Sequence, residues 1–464
     1  MYVIAKTRVR AVYAVCAISL FTFSQIAAAK TLCVNPSGKH GCYTTIADAL
    51  NHAAPNDTIQ VGAGTYNEEI DIAFPVSIIG AGAHHTIVDA TNVAHGFFVD
   101  GYDHPGLNDV TISGFTVRYA LYEGVLVVSA SDVTLRGNIV ENNDQIPGIQ
   151  FDPNVHAGCP NQPGNGTYET DETGDCGGGI HLVGTANSIV SGNYVVGNTD
   201  GILISDETAE SHDNLVTRNI FKDNPRECGI VMASHPPAGS LAPAFAPHYG
   251  VDRNTISNNV SDRNGVQAGG AGSGLFSDGA GQGRVSGNVI IGNTLTNNGL
   301  GGVALHTHVG PAFGLPADDM SNNKIVGNYI AGNLADGDDT ATPGRVGINI
   351  NSGGGGSPVI GTVISENTIR DEDIDVAVNT PAEVDVHLNN LLGHKIGVGD
   401  VCSFDGASMC TGTVDATQNY WGCAFGPGSP GCSTVSGADV RFVPWLTTPI
   451  DSRANDKHEN DKHE

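Results

Sequence analysis

The sequence is poor in charge, in aromatic side chains and above all in basic residues. Only 15% of its 464 residues are charged and 6% are aromatic, and 21 Lys and Arg face 49 Asp and Glu, for a formal net charge of −28. So acidic a chain does not bind nucleic acid through its overall field, and it repels polyanions unless a cation bridges them. Low charge combined with 62 Gly favours an all-β protein with many turns over a disordered chain.

Long apolar runs are also missing, apart from one near the N-terminus. There a basic segment at 6–10 precedes an apolar segment at 11–23 and small residues at 27–29, which is the pattern of a secretory signal peptide. We therefore predict that residues 1–29 are removed and that the mature protein is secreted or periplasmic, with no membrane span. Cleavage removes three of the 21 basic residues, so the mature charge is 18 − 49 = −31.

Nine cysteines remain after the predicted cleavage. Eight of them are close to a partner in sequence, which suits local disulfide bonds in an oxidising compartment, although spacing alone does not fix their connectivity. The ninth, Cys228, precedes a core strand, and we interpret it as a buried structural thiol. The four predicted pairs are Cys33–Cys42, Cys159–Cys176, Cys402–Cys410 and Cys423–Cys432.

One short phrase returns six times between residues 179 and 351. It reads glycine, apolar, any, mostly apolar, any, a period of two that is typical of a strand. We predict that the first and third residues after glycine face a core and that the second and fourth face outward. The copies are GIHLV at 179–183, GILIS at 201–205, GIVMA at 229–233, GLFSD at 274–278, GVALH at 302–306 and GININ at 347–351.

Two asparagines five residues apart precede each copy. Separations of 26 and 29 residues between successive first asparagines match one coil of a three-strand solenoid, and longer separations match coils with insertions. We interpret the pairs as structural corner residues that stack from coil to coil and satisfy backbone groups in the turns. They are Asn138/Asn143, Asn193/Asn198, Asn219/Asn224, Asn259/Asn264, Asn288/Asn293 and Asn328/Asn333.

Both ends of the repeat region carry further motifs. IADAL at 46–50, DTIQV at 57–61 and GTYNE at 64–68 resemble the entry coil of the pectate-lyase-like right-handed parallel β-helix superfamily. NYWG at 419–422, followed by GPG at 426–428, resembles the closing coil of secreted β-helix proteins.

The resemblance implies an all-β, right-handed parallel β-helix with three strands per coil. We predict a single domain at 30–450, with an N-terminal cap at 30–56 that contains a short helix and a closing coil at 400–450. The polar tail at 451–464 is predicted to be disordered. The superfamily includes lyases, hydrolases, esterases, epimerases and inert scaffolds, so the resemblance implies the fold and leaves the activity open.

Insertions flank the glycine-led strand on both sides. Loops on both sides of a stacked sheet form walls, and we therefore expect the sheet between them to be the floor of a binding groove. The insertions lie at 144–176, 265–273 and 335–346 before the strand, and at 206–213, 235–250, 309–320 and 353–360 after it.

Stacking the six phrases brings candidate catalytic residues together on the outward face. Coils rise about 4.8 Å, so Asp278 and His306 are predicted to be neighbours within hydrogen-bond reach. His308 and His235 point the same way, and Asp206 borders the same floor. A carboxylate-oriented imidazole in a groove is a candidate general acid or base, and chance juxtaposition is the alternative. The predicted substrate-binding residues are His181, Phe276, Asn349 and Asn351.

Motifs of specific enzymes are only partly present. NTDG at 198–201 resembles the first catalytic motif of polygalacturonases, with Asn198 and Asp200, but the other motifs of that family are absent, so we interpret Asp200 as a turn residue. Asp206 and Asp278, two coils apart, would suit an inverting hydrolase with water between them. Arg284 and Arg345 are the lyase-type base candidates, and neither lies in a recognisable motif. The Asp-Pro-His-Glu signature of alginate epimerases is absent as well.

No metal or other cofactor is firmly indicated. His306 and His308 could supply two nitrogens to Zn²⁺, but a third ligand is missing from the pattern. The acidity favours Ca²⁺ over zinc, through the clusters 336–339 or 371–373, and the alternative is that these carboxylates are simply solvated.

Two functional hypotheses follow. The first is a secreted, monomeric β-helix protein that binds a polysaccharide in its groove and, as a lyase, hydrolase or epimerase, also processes it. The second is a non-catalytic surface or periplasmic scaffold or binding protein with the same fold. Neither hypothesis involves nucleic acid.

Overall fold

The computed structural model describes residues 29–145, 178–235, 248–277, 282–307, 310–335, 344–352, 355–400 and 412–451. The chain winds as a solenoid whose successive coils contribute one strand each to three long sheets, and neighbouring strands in these sheets are parallel. The predicted parallel β-helix with three strands per coil is therefore confirmed.

We call the three long sheets the first, second and glycine-led sheets, in the order in which a coil visits them. The first sheet has 14 strands: Thr31–Val34, Thr58–Val61, Ser77–Gly80, Thr111–Ser113, Thr134–Arg136, Ile189–Ser191, Leu215–Thr217, Thr255–Ser257, Val289–Ile291, Lys324–Val326, Val363–Ser365, Val384–His387, Val414–Asp415 and Val440–Arg441. The second sheet has 11 strands: Gly64–Tyr66, Thr86–Asp89, Thr116–Arg118, Ile139–Glu141, Tyr194–Val196, Ile220–Lys222, Val260–Asp262, Thr294–Thr296, Tyr329–Ala331, Thr368–Arg370 and Asn390–Leu392.

The glycine-led sheet has 12 strands: Ile70–Ile72, Phe97–Asp100, Val125–Val128, Ile180–Val183, Ile202–Ser205, Ile230–Ser234, Ser273–Ser277, Val303–Thr307, Val346–Asn351, Ile374–Asn379, Ile396–Asp400 and Thr434–Ser436. A short fourth sheet lies between the glycine-led sheet of one coil and the first sheet of the next. Its three strands are Ser211–His212, Val251–Asp252 and Val285–Ser286. Ser211–His212 lies in the predicted insertion at 206–213 and Val251–Asp252 directly follows the one at 235–250, whereas Val285–Ser286 follows no predicted insertion. Val251 and Val285 belong to the main apolar core, so this sheet adds a short side to the coils that carry it.

The only α-helix among the described residues, Ile46–His52, forms the predicted N-terminal cap. The hydroxyl of Thr45 caps its first turn. The carboxylate of Glu68 accepts hydrogen bonds from the amides of Ile46 and Ala47 at 2.8 and 2.9 Å. Free amides at a helix N-terminus favour a negative charge, so the glutamate of the GTYNE motif stabilises the cap.

The interior is a continuous apolar core that runs the length of the solenoid. Ile180 and Leu182 of one glycine-led strand belong to it, whereas His181 and Val183 lie on the opposite face. The alternation expected from a period of two is thus confirmed.

Stacked asparagines hold the coils in register, as predicted. Asn259 is typical: its Oδ1 accepts from the backbone amide and the side chain of Asn219, and its Nδ2 donates to the Val216 carbonyl and to Asn293, all at 2.9–3.0 Å. The predicted alignment of Asn288 with Asn259, the first asparagine of the preceding pair, was wrong. Asn288 stacks on Asn254 in a further ladder, because these coils carry three asparagines at five-residue intervals instead of two.

Packing requires glycine immediately before the strands that begin at Ile202 and Ile230. A Cβ on Gly201 would lie 2.2 Å from the carbonyl oxygen of Gly229 and 2.7 Å from the ring of Phe221. A Cβ on Gly229 would lie 2.6 Å from Nδ2 of Asn264. Glycine and the asparagine ladder therefore form one interlocking corner.

The disulfide bonds among the described residues bear on the cellular compartment. The predicted pairs Cys33–Cys42 and Cys423–Cys432 form disulfide bonds, which fits an oxidising environment. Cys228 is buried outside these disulfides, as expected, and its Sγ accepts a hydrogen bond from the Ala271 amide. In the described ranges, no helix is long and apolar enough to cross a membrane. The signal segment, the tail after 451 and the other two predicted cysteine pairs lie outside the described residues.

One asparagine ladder ends on an acid. Asn333 donates both its backbone and side-chain N–H groups to Oε1 of Glu372, at 3.0 Å each. Glu372 occupies the ladder position of an asparagine and is only 1% exposed. Burial raises its pKa from 4.5 to about 7, although the hydrogen bonds from Asn333 oppose the shift.

We predict that Asn259→Ala destabilises the protein by at least about 3 kcal/mol, because it removes four buried hydrogen bonds of the Asn259 side chain. Chemical unfolding followed by circular dichroism measures the loss. Asn67→Ala, at an exposed asparagine outside the ladders, serves as the control and should change the unfolding free energy by less than about 0.5 kcal/mol. Equal losses of unfolding free energy for the two substitutions would contradict a stabilising role of the ladder.

We predict that Glu372→Gln stabilises the protein above pH 7 and has little effect near pH 4. The folded pKa is raised above the unfolded value, so ionisation costs stability as the pH rises from about 4.5 to about 7, up to roughly 3 kcal/mol. Glutamine keeps the acceptor for Asn333 and cannot ionise. Melting temperatures of the variant relative to wild type across pH 4–9 measure this, with Glu141→Gln as the control. A gain that does not vary with pH would contradict the proposed ionisation cost.

Candidate functional site

The outward residues of the glycine-led sheet form two columns, but the predicted neighbour of His306 was wrong. His306 pairs in register with Phe276, and Ala304 pairs with Gly274. The glycine equivalent to those of the other coils is Gly272, so the sequence phrase beginning at Gly274 was aligned two residues late. Residues 278 and 308 lie outside the described residues, so the proposed roles of Asp278 and His308 stay predictions.

The corrected register defines both columns. The first column consists of the residues two after the structural glycine and their register partners in the coils that lack this glycine: Asp71, Phe98, Leu126, His181, Leu203, Val231, Gly274, Ala304, Asn349, Ala377, Gly399 and Ser436. The second column consists of the residues four after the structural glycine and their register partners: Asp100, Val128, Val183, Ser205, Ala233, Phe276, His306, Asn351 and Asn379.

The predicted binding residues near His306 do lie together. The rings of Phe276 and His306 meet edge to face with their centroids 5.4 Å apart. Nδ2 of Asn349 is 3.4 Å from Nε2 of His306, and Nδ2 of Asn379 donates to Oδ1 of Asn351 at 3.0 Å. This part of the face thus combines aromatic rings with carboxamides.

The expectation of an open groove was wrong for most of these side chains. Of the predicted site residues that are described, only Phe276 is partly exposed. The others are buried, with exposures of 0% for Asp206, His235 and His306, 1% for Asn349, 2% for His181 and 3% for Asn351. The outward face is therefore a second packed layer, in which polar side chains must find partners inside the protein.

A buried carboxylate–imidazole pair lies just after the C-terminal ends of two neighbouring glycine-led strands. Oε1 of Glu207 is 2.8 Å from Nδ1 of His235, and both side chains are 0% exposed. Burial alone would raise the pKa of Glu207, but the His235 imidazole beside it outweighs burial and holds that pKa below its usual value. Glu207 was not among the predicted site residues. A signal was available, since Glu207 and His235 each lie six residues after the structural glycine of successive coils.

Asp206 lies next to this pair and is saturated with hydrogen bonds. Its Oδ1 accepts from the His235 amide at 2.7 Å, and its Oδ2 accepts from the Gly250 amide at 2.5 Å and from the Ser234 hydroxyl at 3.0 Å. Burial, with the charge of Glu207 adding to it, raises the pKa of Asp206 to about 7. Two of its donors are backbone groups on either side of 236–247, so Asp206 fixes the chain at both ends of that segment.

His181 connects the pair to the middle of the sheet. Its Nε2 is 2.8 Å from the hydroxyl of Ser205, and Ser205 in turn hydrogen-bonds to Glu207. Burial lowers the pKa of His181, while the charges of Glu207 and Glu123 oppose that shift. A neutral imidazole in contact with a hydroxyl can accept or pass on a proton.

A second buried pair lies near the N-terminal end of the same face. Nδ1 of His95 is 2.8 Å from Oε2 of Glu123, with both side chains 1% exposed. The His95 ring packs between Phe98 and Tyr122, at centroid distances of 5.6 and 6.0 Å. Each member of the pair directly precedes a structural glycine, in coils upstream of the six aligned phrases, and so it was missed.

The remaining enzyme-type candidates are engaged in the scaffold. Asp200 accepts a hydrogen bond from the Gly179 amide at 3.4 Å, which fits the interpreted role in a turn. Arg284 is held 2.6 Å from Asp252, and Arg345 is 3.8 Å from Asp373. Both arginines are thus paired with acids, which leaves them poorly placed as lyase-type bases.

The predicted calcium cluster at 371–373 is not assembled. Asp371 pairs with Arg370 at 2.9 Å, Asp373 pairs with Lys395, and Glu372 accepts from Asn333 as described above. The other predicted cluster, at 336–339, lies outside the described residues. Within the described part of the chain, the grouping with metal-ligand spacing is a different one: Asp385, His387 and Asp415 on the first sheet.

Comparisons with known proteins agree with this fold. Residues 90–240 match the family model of the right-handed β-helix region. No curated protein sequence matches the chain significantly.

Solved structures with similar architecture include ORF18 of Geobacillus virus E2, with 11% identity and a TM-score of 0.43 over 76% of this chain and 56% of that one. They also include a thermostable GH87 α-1,3-glucanase from Streptomyces thermodiastaticus, with 15% identity and a TM-score of 0.46 over 87% and 66%. An alginate lyase from Paenibacillus shows 13% identity and a TM-score of 0.42 over 89% and 99%. The chain thus spans less than two thirds of the length of the first two proteins.

We predict that Glu207→Ala destabilises the protein by about 3–5 kcal/mol, because it leaves the imidazole of His235 buried without its counter-charge. Adding His235→Ala in the Glu207→Ala background should cost much less than His235→Ala alone. Urea unfolding of the four proteins of this double-mutant cycle measures the coupling. Glu210→Ala, at the partly exposed acid three residues on, is the control and should cost less than about 1 kcal/mol. Additive losses would contradict a direct pair.

Proposed function

We propose that this chain, a right-handed parallel β-helix protein, is a secreted protein that binds a polysaccharide along the outer face of its glycine-led sheet and processes it by acid–base chemistry. The observation that carries the proposal is the buried Glu207–His235 pair beside Asp206, on a face that also carries aromatic and amide side chains.

The shape of the face suits an extended polymer. Its 12 parallel strands at about 4.8 Å spacing give a straight surface of about 50 Å. The two columns repeat at that spacing, and Phe276 is the predicted site residue in them that is partly exposed. The insertions expected on both sides of the sheet would supply walls.

The proposed chemistry follows from the opposite pKa shifts of two neighbouring carboxyl groups. The pKa of Asp206 is raised to about 7, whereas the pKa of Glu207 is lowered. Environments that shift the pKa values of two carboxyl groups in opposite directions are typical of pairs that act as acid and base. We assign proton transfer to Glu207 and His235, and we assign to Asp206 the positioning of His235 through its amide.

A second candidate function is supported by the burial of the same residues. Glu207 and His235 are 0% exposed, as expected for a network that stabilises a non-catalytic binding protein. In that case the face binds glycan or presents a stable surface without changing the ligand.

We predict that Glu207→Gln abolishes glycan processing and leaves glycan binding within about threefold of wild type, because glutamine keeps the acceptor but cannot carry the proton. Reducing-end release and the absorbance of unsaturated products measure processing, and affinity gel electrophoresis measures binding. Glu383→Gln, at an exposed acid that directly precedes a strand of the first sheet, is the control and should leave both unchanged. Binding without any processing by wild type would favour the second candidate.

A further inference from the structure

We propose that Asp385, His387 and Asp415 bind one divalent transition-metal ion such as Zn²⁺, and that this ion fastens the closing coil to the coil before it. The three side chains are outward residues of the first sheet, whereas the proposed glycan chemistry lies beside the glycine-led sheet. The inference therefore does not rest on the function proposed above. The juxtaposition that carries it is an imidazole nitrogen that faces two carboxylates of adjacent strands.

The first sheet itself brings the three side chains together. Asp385 and His387 are two residues apart on one strand, where Val384 and Val386 face the core. Asp415 is the register partner of Asp385 on the next strand. Like charges directly opposite each other on neighbouring strands are destabilising, so this arrangement favours a bound cation.

The imidazole of His387 is held in the orientation of a metal ligand. Its Nδ1 is 2.9 Å from the backbone carbonyl oxygen of Thr417, which can only accept a hydrogen bond. Nδ1 of the neutral ring therefore carries the proton, and Nε2 presents a lone pair. Nε2 lies 3.6 Å from Oδ1 of Asp385 and 3.9 Å from Oδ2 of Asp415, so three acceptors converge without a donor among them. A histidine that donates to a backbone carbonyl through its other nitrogen is typical of metal sites.

The separations at His387 are too long for hydrogen bonds and close to the spacing of two ligands on one ion. Two ligand atoms bound to a tetrahedral Zn²⁺ are about 3.4 Å apart. The three ligand atoms of this site all lie within 4.8 Å of one another. By contrast, the imidazole and the carboxylate of the buried His235–Glu207 pair are in direct contact at 2.8 Å. The arrangement at His387 thus fits a shared ion better than a direct ion pair.

The ligand set favours a transition metal over calcium. Ca²⁺ prefers about six to eight oxygen ligands, whereas one imidazole nitrogen with two carboxylate oxygens suits Zn²⁺. The side chains of Asp385, His387 and Asp415 are 48%, 28% and 16% exposed, so water can complete the coordination. The ion links Asp415 of the closing coil to the two ligands of the preceding coil.

Arg441 is the cation that competes for this site. Its guanidinium donates to Oδ2 of Asp415, the same oxygen that faces His387, and lies 3.5 Å from Oε1 of Glu383. The Arg441 side chain is 63% exposed, so it can turn into solvent when a metal binds. Among the described residues, Asp385 has no ion-pair partner except His387. Arg441 therefore pairs with Asp415 and leaves Asp385 to the metal.

Isothermal titration calorimetry of the mature protein with ZnCl₂ and with CaCl₂ tests this inference. We expect one equivalent of Zn²⁺ to bind, and Ca²⁺ to bind at least about tenfold more weakly. His387→Ala and Asp385→Asn should each weaken Zn²⁺ binding at least about tenfold, because each removes a ligand. Asp385→Asn keeps the shape of a half-exposed side chain, so it stays informative even where His387→Ala fails to fold, and circular dichroism checks both variants.

His212→Ala is the matched control. The imidazole of His212 is 29% exposed, which is close to the exposure of His387, but it lies at the hydrogen-bond distance of 2.7 Å from the carboxylate of Asp213. This variant should bind Zn²⁺ as the wild type does. Repeating the titrations in a His458→Ala, His463→Ala background excludes the two histidines of the polar tail as ligands.

Arg441→Ala distinguishes a metal site from a simple cluster of charges. It should strengthen Zn²⁺ binding at least about threefold, because it removes the competing cation. In the wild type, Zn²⁺ should also slow amide hydrogen exchange at 412–420, and in Asp385→Asn it should not. Absence of saturable Zn²⁺ binding, an equal loss in His212→Ala, or tighter binding of Ca²⁺ than of Zn²⁺ would overturn the inference. The glycan assays test the proposed function separately, so the failure of one proposal is distinguishable from the failure of the other.

Discussion

The structure depends on the hydrogen bonds that pass from one asparagine side chain to the next along the solenoid axis. Each ladder asparagine uses its side chain to bond the backbone and the side chain of its neighbours, so every coil is held in register at its corners. Because these groups are buried, leaving any of them without a partner costs free energy. Register is therefore set locally, coil by coil, and does not depend on the length of the intervening loop.

That local register explains how insertions of different length coexist with regular sheets. The ladder step from Asn193 to Asn219 spans 26 residues and the step from Asn219 to Asn259 spans 40, yet both give the same contact of 3.0 Å. Residues between the corners can thus form additional structure, such as the short fourth sheet, while the glycine-led sheet stays unchanged.

Features repeated in every coil were predictable from sequence, and features made once were not. The asparagine corners, the alternation of faces and two disulfides followed from local patterns. The predicted register of His306 was wrong because GSG at 272–274 contains two glycines that fit the repeated phrase. Packing separates them: a Cβ on Gly272 would meet the next coil's backbone at 2.6 Å, whereas Gly274 makes room for the ring of Phe276. Such a distinction depends on neighbouring coils, which the linear phrase does not contain.

The two adjacent acids, Asp206 and Glu207, illustrate how the same face separates structural from chemical roles. Both are completely buried and close enough for each charge to affect the other, so ionising both together is unfavourable. Asp206 accepts two backbone amides and a hydroxyl, and losing it would release the chain on both sides of 236–247. Glu207 bonds to side chains that can themselves exchange protons, His235 and Ser205. A carboxyl group that accepts hydrogen bonds from backbone amides has a structural role, whereas a carboxyl group that is hydrogen-bonded to an imidazole can transfer a proton. Glu207, and not the aspartate that the sequence singled out, is therefore the stronger candidate for chemistry.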